Sequence, residues 1–424
     1  MASIVSVLDI GTHKTAVLIS LIEEGQPPKV LGFASNPSKG VKKGMITNIE
    51  ECMEVVAATI TTAERMANIQ IDNLYITVTG GTITCHNEKG TISVTGQEIT
   101  QNDVIRAVEY AKTQLTPLPA GMEFLHVIPN EFAIDGHGGI KYPIGMSGSK
   151  LEVECHFVLA PSSLLKNTAR IVQKLGIAER GFIFSGWADT YAVLTDTEKE
   201  LGVTLLDIGA GTTDIVIFKE SKVIFSGSIP IGGYHITSDL AAGLGIPSLE
   251  SAEKLKLNLE EILKRQEQQT PVFKKEDSKT NKDNTDQDSL DISFLGIEGK
   301  ERISKKLMWE IIEARIADIL ENAEKLARTK GATLISPGGI VLTGGTAKLY
   351  NITKIIKDLT KTSARIGKPK GLAGMVEEIS DPEYATIQGA VLYSLTETDV
   401  NTLQTGSGIG IIETVKNLIR SIIG

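Results

Sequence analysis

Apolar and polar positions fall into the same order of blocks twice along this chain. Residues 3–10 and 15–22 read as paired strands, Gly25-Gln26-Pro27-Pro28 as a turn and 29–35 as a third strand. Ile49 to Met66 carries apolar residues at helical spacing, and Leu74 to Val78 alternates as a strand that runs into Gly80-Gly81. The later half gives strands at 203–208, 213–219 and 222–228, a helix from about Tyr234 and a strand at Gly339 to Leu342. Strand, strand, strand, helix, strand is the order of an RNase H-like α/β core. The pattern predicts an α/β protein with two such lobes.

The remaining segments divide the chain further. Residues 83–160 hold a helix (Gln101 to Lys112) and strands around His126-Val127-Ile128-Pro129 and Leu151 to Leu159, a small α+β insertion. The expected organisation is a first lobe over 1–82, the insertion over 83–160, and a return with an inter-lobe helix over 161–200. The second lobe then covers 201–395, with its own subdomain at about 240–335. Residues 266–292 are polar and poor in aliphatics, which predicts a mobile loop. Residues 396–408 read as a linker. In 409–424, Ile411, Ile412, Val415, Leu418, Ile419, Ile422 and Ile423 form a stripe of helical period opposite Lys416, Asn417 and Arg420. An amphipathic helix after a linker suits a membrane surface, and with two basic residues and no Trp or Phe it predicts weak, reversible binding to anionic lipid.

Composition narrows the classes. With 424 residues, two sizeable lobes fit. A net charge of −9 provides no basic field for nucleic acid. The three cysteines are widely spaced and fit a reducing compartment, the N-terminus enters a strand without a leader, and no run of 18 apolar residues spans a bilayer. The six histidines are scattered, and His126 and His156 sit in apolar strands as core residues.

The chemistry lies at the strand ends. Val7-Leu8-Asp9-Ile10-Gly11-Thr12-His13-Lys14-Thr15 reads against Leu205-Leu206-Asp207-Ile208-Gly209-Ala210-Gly211-Thr212-Thr213, 198 residues later. Each is a hairpin whose glycine-centred turn offers N–H groups and hydroxyls to an anion. The aspartate beside each turn can hold a divalent cation, directly or through water. Gly338-Gly339-Ile340-Val341-Leu342-Thr343-Gly344-Gly345-Thr346-Ala347 is a buried strand ending in a Gly-Gly turn before a helix, a floor for a nucleoside.

Two phosphate hairpins and an adenosine turn in this order resemble the actin and sugar-kinase superfamily. Leu125-His126-Val127-Ile128-Pro129, Phe132-Ala133-Ile134-Asp135, Gly139-Ile140-Lys141 and Pro143-Ile144-Gly145-Met146-Ser147-Gly148 resemble the insertion of the FtsA family of bacterial cell-division proteins. Ile229-Pro230, Thr237-Ser238-Asp239 and Gly339 to Gly345 resemble that family's second lobe, and the likeness runs from about residue 3 to 395. It implies an actin-like fold and an ATP site. Gly11, Thr12, His13 and Lys14 would line the phosphates from one lobe, and Gly209, Gly211, Thr212 and Thr213 from the other. Asp9 and Asp207 would position Mg²⁺, mostly through waters. Gly232 and Gly233 would approach sugar and phosphates, Glu253 and Lys256 ribose and purine, and Gly344, Gly345 and Thr346 the adenosine.

The resemblance further implies filaments of the protein itself and tethering of the tubulin-like FtsZ, through its C-terminal tail, to the cytoplasmic face of the inner membrane at the division site. The tail would dock near the helix at 301–327. Superfamily ATPases often carry Gln or Glu at the start of the inter-lobe helix, and Ser185 stands there. Without a positioned base the protein is at most a slow ATPase. Asp189 could substitute, though it reads as a helix-face residue. A sugar-kinase-type phosphotransferase is the alternative function.

Overall fold

The computed structural model describes residues 2–269, 288–375 and 377–398. The stripe from Ile411 to Ile423 and most of the 396–408 stretch lie outside them.

The first lobe opens with β1 (Ser3–Ile10), β2 (Lys14–Ile22) and β3 (Lys29–Pro37). A small hairpin, β4 (Val41–Lys42) and β5 (Met45–Ile46), follows, then α1 (Ile49–Ala67) and β6 (Asn73–Val78). Asn48 caps α1 by accepting from the N–H groups of Glu50 and Glu51, and Asn68 ends it in a left-handed conformation. Cys52, Val56, Ile60 and Ala63 of α1 pack with Leu8, Val17 and Ile19 of the sheet.

The insertion comprises β7 (Thr84–Ser93), α2 (Gln101–Thr113), β8 (Met122–Ile134), β9 (His137–Ile140) and β10 (Lys150–Pro161). Its strands order β7-β10-β8-β9, and α2 buries Val104, Ala107, Val108 and Ala111 in a core shared with Leu151, Val153 and Phe157. β7 and β9 add to the two strands visible in the sequence. β7 buries only Cys85 and Gly90 of its ten residues, so it carries almost no apolar pattern.

The chain returns through α3 (Ser162–Lys174) and β11 (Ala178–Phe184), then crosses between lobes as α4 (Ser185–Val193) and α5 (Asp196–Leu201). The second lobe has β12 (Thr204–Ile208), β13 (Thr213–Lys219), β14 (Lys222–Ile229), α6 (Gly233–Leu244), α7 (Leu249–Leu257) and α8 (Leu259–Gln269). After residue 287 come β15 (Ser289–Asp291), β16 (Arg302–Ser304), α9 (Lys305–Arg328), β17 (Ile340–Thr343), α10 (Ile352–Thr360) and β18 (Ala364–Ile366). β19 (Ala373–Gly374) and α11 (Ala385–Thr398) return to the first lobe. Of the expected loop over 266–292, residues 270–287 lie outside the described residues, and both described ends are ordered elements. Its start belongs to α8, and at its end Leu290 and Ile292 are buried, with β15 paired to β16. Likewise α11 extends to Thr398, inside the expected linker.

The two large sheets share one topology. The first is ordered β11-β6-β1-β2-β3-β19 and the second β14-β13-β12-β17-β18. In each, strands one to three are antiparallel, and the fourth and fifth lie parallel on the other side of the first. Fully buried central strands explain the near-continuous apolar runs. Helices α4 and α11 fill the space between the sheets. Trp187, Ala188, Ala390 and Val391 join Val5, Val7 and Ala16 of one sheet to Leu205, Val216 and Val341 of the other in a single core.

Candidate functional site

The repeated hairpins form the same turn. Gly11 N–H donates to the Lys14 carbonyl at 2.9 Å, and Gly209 N–H to the Thr212 carbonyl at 3.0 Å. The turns face each other so closely that a β-carbon on Gly211 would lie 2.6 Å from Thr12 Oγ1. Thr12 Oγ1 also accepts from Gly44 N–H at 3.0 Å. His13 is exposed, and its carbonyl accepts from Ser38 N–H. Lys14 reaches away from its own turn. Its ammonium donates to the Glu383 carbonyl, lies 3.5 Å from the Glu383 carboxylate and sits 4.5 Å from the Tyr384 ring centre.

On the second lobe four separate segments converge. Gly233 N–H donates to the Gly209 carbonyl, and Tyr234 N–H to that of Ala210, both at 2.8 Å. This holds the start of α6 against the second hairpin beside Gly232. Thr213 Oγ1 donates to the Ile231 carbonyl at 2.8 Å. Lys256 is nearly buried and pairs with Glu253 at 2.7 Å. Its ammonium also donates to Thr237 Oγ1 and the Gly233 carbonyl, while Thr237 donates to Glu253. The two residues thus belong to the wall of the cleft, and burial lowers the Lys256 ammonium from its ordinary range against the pull of Glu253. Thr346 Oγ1 donates to the Gly209 carbonyl at 3.1 Å, bringing the Gly344-Gly345-Thr346 turn to the same place. Gly344 must be glycine: its φ is +83°, and a β-carbon would lie 2.0 Å from Asp207 Oδ1. At Gly345 a β-carbon would meet only Glu383, at 3.9 Å.

Four aspartates gather between the lobes. Asp9 and Asp207 retain some exposure, and burial raises both carboxyls. Lys14 and the 2.6 Å hydrogen bond from Thr77 partly offset this at Asp9, while Asp207 is raised to about 6. Asp214 and Asp189 are the residues that sequence reasoning missed or misplaced. Asp214 pairs with Asp207 across β12 and β13, accepts from Thr79 Oγ1 at 2.6 Å, and is pushed up to about 8 by burial and by Asp207. The first hairpin has Ala16 at the matching register position, so the repeat does not advertise it. Asp189 corrects the helix-face expectation: it is fully buried on α4, whose buried positions go all the way round. One oxygen accepts from Thr386 Oγ1 at 2.9 Å and the other has no donor, while the Asp207 carboxyl adjoins the group. Burial and then Asp207 hold the Asp189 carboxyl well above the usual range. A hydrogen bond between these two carboxyls exists only while one keeps its proton.

Among the described residues no three Asp, Glu, His or Cys side chains converge to hold a metal directly. The facing Asp9 and Asp207 fit a hydrated divalent cation that takes other ligands from a polyphosphate. Ser185 Oγ donates to the Val78 carbonyl at 3.2 Å and is buried, so it offers no base to the cleft. His126 accepts from Phe184 N–H, and His156 bridges Asn87 and Ser226; both are buried core residues.

The fold is similar to solved structures with little sequence in common. A PilM–PilN type IV pilus biogenesis complex matches with a TM-score of 0.60 at 14% identity, covering 92% of this chain and 98% of that one. MreB 5 of Spiroplasma citri bound to AMPPNP matches at 0.52 and 14% identity, covering 94% and 99%. The model of Cell division protein FtsA matches residues 204–389, and that of the SHS2 domain inserted in FtsA matches residues 80–159. The Cell division protein FtsA of Escherichia coli K12 is 32% identical over 394 residues, 91% of this chain and 89% of that protein. That of Borreliella burgdorferi is 31% identical over 403 residues, 94% and 92% of the two chains. With two lobes of one topology, the family's inserted domain and identity across nine-tenths of its length, the chain belongs to the FtsA family of cell-division proteins and has the actin-like fold.

Proposed function

We propose that this protein binds ATP with Mg²⁺ between its lobes, polymerises on the cytoplasmic face of the cell membrane at the division site, and tethers FtsZ filaments there. The observation that carries the nucleotide part is the convergence of the 209–213, 232–234 and 344–346 turns on one point opposite the 11–14 turn. Glycines and hydroxyls ring that point, and Asp9 and Asp207 flank it. The bound cation would neutralise phosphate charge. Gly11, Thr12, Gly209, Gly211, Thr212 and Thr213 would cradle the phosphates. Lys256 with Glu253, and Gly345 with Thr346, would border the nucleoside. Nucleotide then acts mainly as a clamp that sets the lobe arrangement, since Ser185 supplies no general base.

A groove of about 590 Å³ supports the partner assignment. Leu244, Ile303 and Leu307 give it apolar walls, Lys300 and Arg302 two basic side chains and Asp288 one carboxylate, with Gly243, Ser289 and Ser304 completing the lining at the N-terminal end of α9. Lys300 and Arg302 outnumber the single carboxylate of Asp288, so the groove suits a peptide with an acidic residue and an apolar anchor, and the FtsZ tail is the occupant assigned to it. The apolar stripe over 409–424 serves as the membrane contact. A phosphotransferase of the sugar-kinase type would need a substrate base, and Ser185 is not one.

The decisive experiment is co-sedimentation of FtsZ with anionic vesicles. FtsZ should pellet with vesicles only when the full chain and ATP·Mg²⁺ are both present. FtsZ left in the supernatant under those conditions would overturn the tether.

A further inference from the structure

The insertion is joined in sequence to the first lobe, yet its side chains grip the second. β14 is an edge strand of the second sheet, and an edge leaves backbone N–H and C=O groups without strand partners. Asn130, on β8 of the insertion, supplies both partners at Val223: its amide donates to the Val223 carbonyl at 2.8 Å, and its oxygen accepts the Val223 N–H at 3.0 Å. Asn87, on β7, donates to the Ile224 carbonyl at 2.8 Å. Cys85 Sγ accepts from Ser226 N–H at 3.4 Å. His156, on β10 and fully buried, lies 2.6 Å from Asn87 Oδ1 and 2.7 Å from Ser226 Oγ. Lys222 pairs with Glu131 at 2.7 Å.

The contact is apolar as well as polar. Cys85 packs within the second lobe's core, while Ile128, Val158 and Ala160 of the insertion join the core shared by both lobes. Three insertion strands therefore dock on one strand of the other lobe. All the polar contacts fall on residues 222–226 of β14. The opposite end, Ile229, pairs with Thr213 beside the cleft. At about 3.3 Å per residue the grip and the cleft are separated by some ten to twenty ångströms of one rigid strand. Any rotation of the lobes about α4 and α11 that moves the Ile229 end also moves the gripped end against the insertion.

We propose that the insertion is an intramolecular strap which, through Asn130, His156 and Asn87 on the β14 edge, restrains rotation of the second lobe relative to the first. It does so by occupying groups that a sheet edge otherwise offers to water or to another strand. The proposal stands on contacts between described residues and does not require the cleft to bind any particular ligand.

The experiment uses the full chain with Glu54→Cys on α1 and Glu313→Cys on α9, both exposed, carrying spin labels; Cys52, Cys85 and Cys155 are buried. Inter-lobe distances are measured without nucleotide for the parent and for Asn130→Ala/His156→Phe. The strap variant should show a broader distribution with a population absent from the parent. Hydrogen exchange at the Val223 amide should rise with it. A folded variant whose distance distribution superimposes on the parent's would overturn the proposal. If the double variant does not fold, Asn130→Ser alone replaces it, because that residue is only partly buried, and the same comparison decides. Measurement without nucleotide keeps the strap's failure distinct from failure of the nucleotide reading, which is tested by an ATP-dependent melting shift.

Discussion

Thr79 and Asp214 hydrogen-bond at 2.6 Å across the two lobes, the hydroxyl donating from the end of β6 to a carboxyl on β13. Thr212 Oγ1 and Ser228 Oγ lie within 3.3 and 3.5 Å of the same hydroxyl. An acid thus sits at the contact between the lobes.

The protonation of Asp214 gives a pH dependence with a definite sign. Its carboxyl is raised to about 8 in the fold, against about 3.9 for an unfolded chain. The protonated form is the one the fold prefers. Its contribution is complete below pH ~4 and is lost as pH rises through ~8. Asp214→Asn keeps an oxygen for Thr79 and cannot ionise. Melting temperatures taken from pH 5 to pH 9 should show the variant gaining on the parent by several degrees toward the alkaline end. Parallel profiles would place the ionised carboxylate comfortably in the parent and remove this account.

Gly345 and Gly344 are neighbours with opposite expectations. A β-carbon at Gly345 meets only Glu383, at van der Waals distance. Gly345→Trp should fold and lose the stabilisation that ATP·Mg²⁺ gives the parent by mass action. Gly344→Ala pushes a methyl onto Asp207 and strains a left-handed φ, a cost of about 1–3 kcal/mol from the backbone alone. Differential scanning fluorimetry of both, with and without ATP, separates the two. An undiminished ATP shift in Gly345→Trp would remove the nucleoside assignment.

Turnover should be slow. Ser185 is spent on the Val78 carbonyl, and Asp189, one turn further along the same helix, is sealed between Thr386 and Asp207 with no surface of its own. Steady-state phosphate release should fall well below about 1 s⁻¹, the lower end of ordinary enzymes. A rate in the normal range would require another group to orient the water, and Asp214→Asn would then be the first variant to assay.

The sequence displayed the lobes because the central strands of both sheets are buried and glycine turns join them, and both features write strong patterns. The hairpins at Gly11 and Gly209 were legible from the repeated Asp-x-Gly alone. Asp214 was hidden by the same repeat, because the register position that it occupies holds Ala16 in the first copy. Asp189 was hidden because α4 is buried on every side, so no face was available to mark it as interior. Strand β7 was invisible for the converse reason, since polar side chains such as Asn87 serve the contact with β14 rather than a core. Patterns report burial against bulk water; they do not report polar groups buried against one another.

The groove at the head of α9 makes the partner testable. Lys300 and Arg302 flank Ile303 and Leu307, and Leu307 remains exposed on the rim. A labelled FtsZ tail peptide should bind saturably. Arg302→Glu should weaken it about tenfold or more, the effect of about 1.4 kcal/mol, while leaving the ATP melting shift intact. Rim charges act on association and salt dependence, so raising ionic strength should weaken the parent's binding in the same direction. Absence of saturable binding under any nucleotide condition would detach the groove from the tail.

Membrane recruitment should follow avidity rather than single-helix affinity. The stripe of Ile411, Ile412, Val415, Leu418, Ile419, Ile422 and Ile423 lies outside the described residues, so its role rests on spacing and on its place after a polar stretch. Among the described residues no helix is long and apolar enough to cross a bilayer. One short amphipathic segment with Lys416 and Arg420 as its basic residues anchors only marginally. Copies aligned on a filament would convert each later contact into an intramolecular one, with a gain of ~10²-fold or more in overall binding. Vesicle binding should rise steeply with protein concentration, in step with light scattering from polymers. Val415→Glu, at the middle of the stripe, or Ile419→Glu, one turn on, should abolish it without altering the ATP melting shift. Charge at either position that left vesicle binding intact would reassign the segment to protein packing, and the tether would lose its anchor.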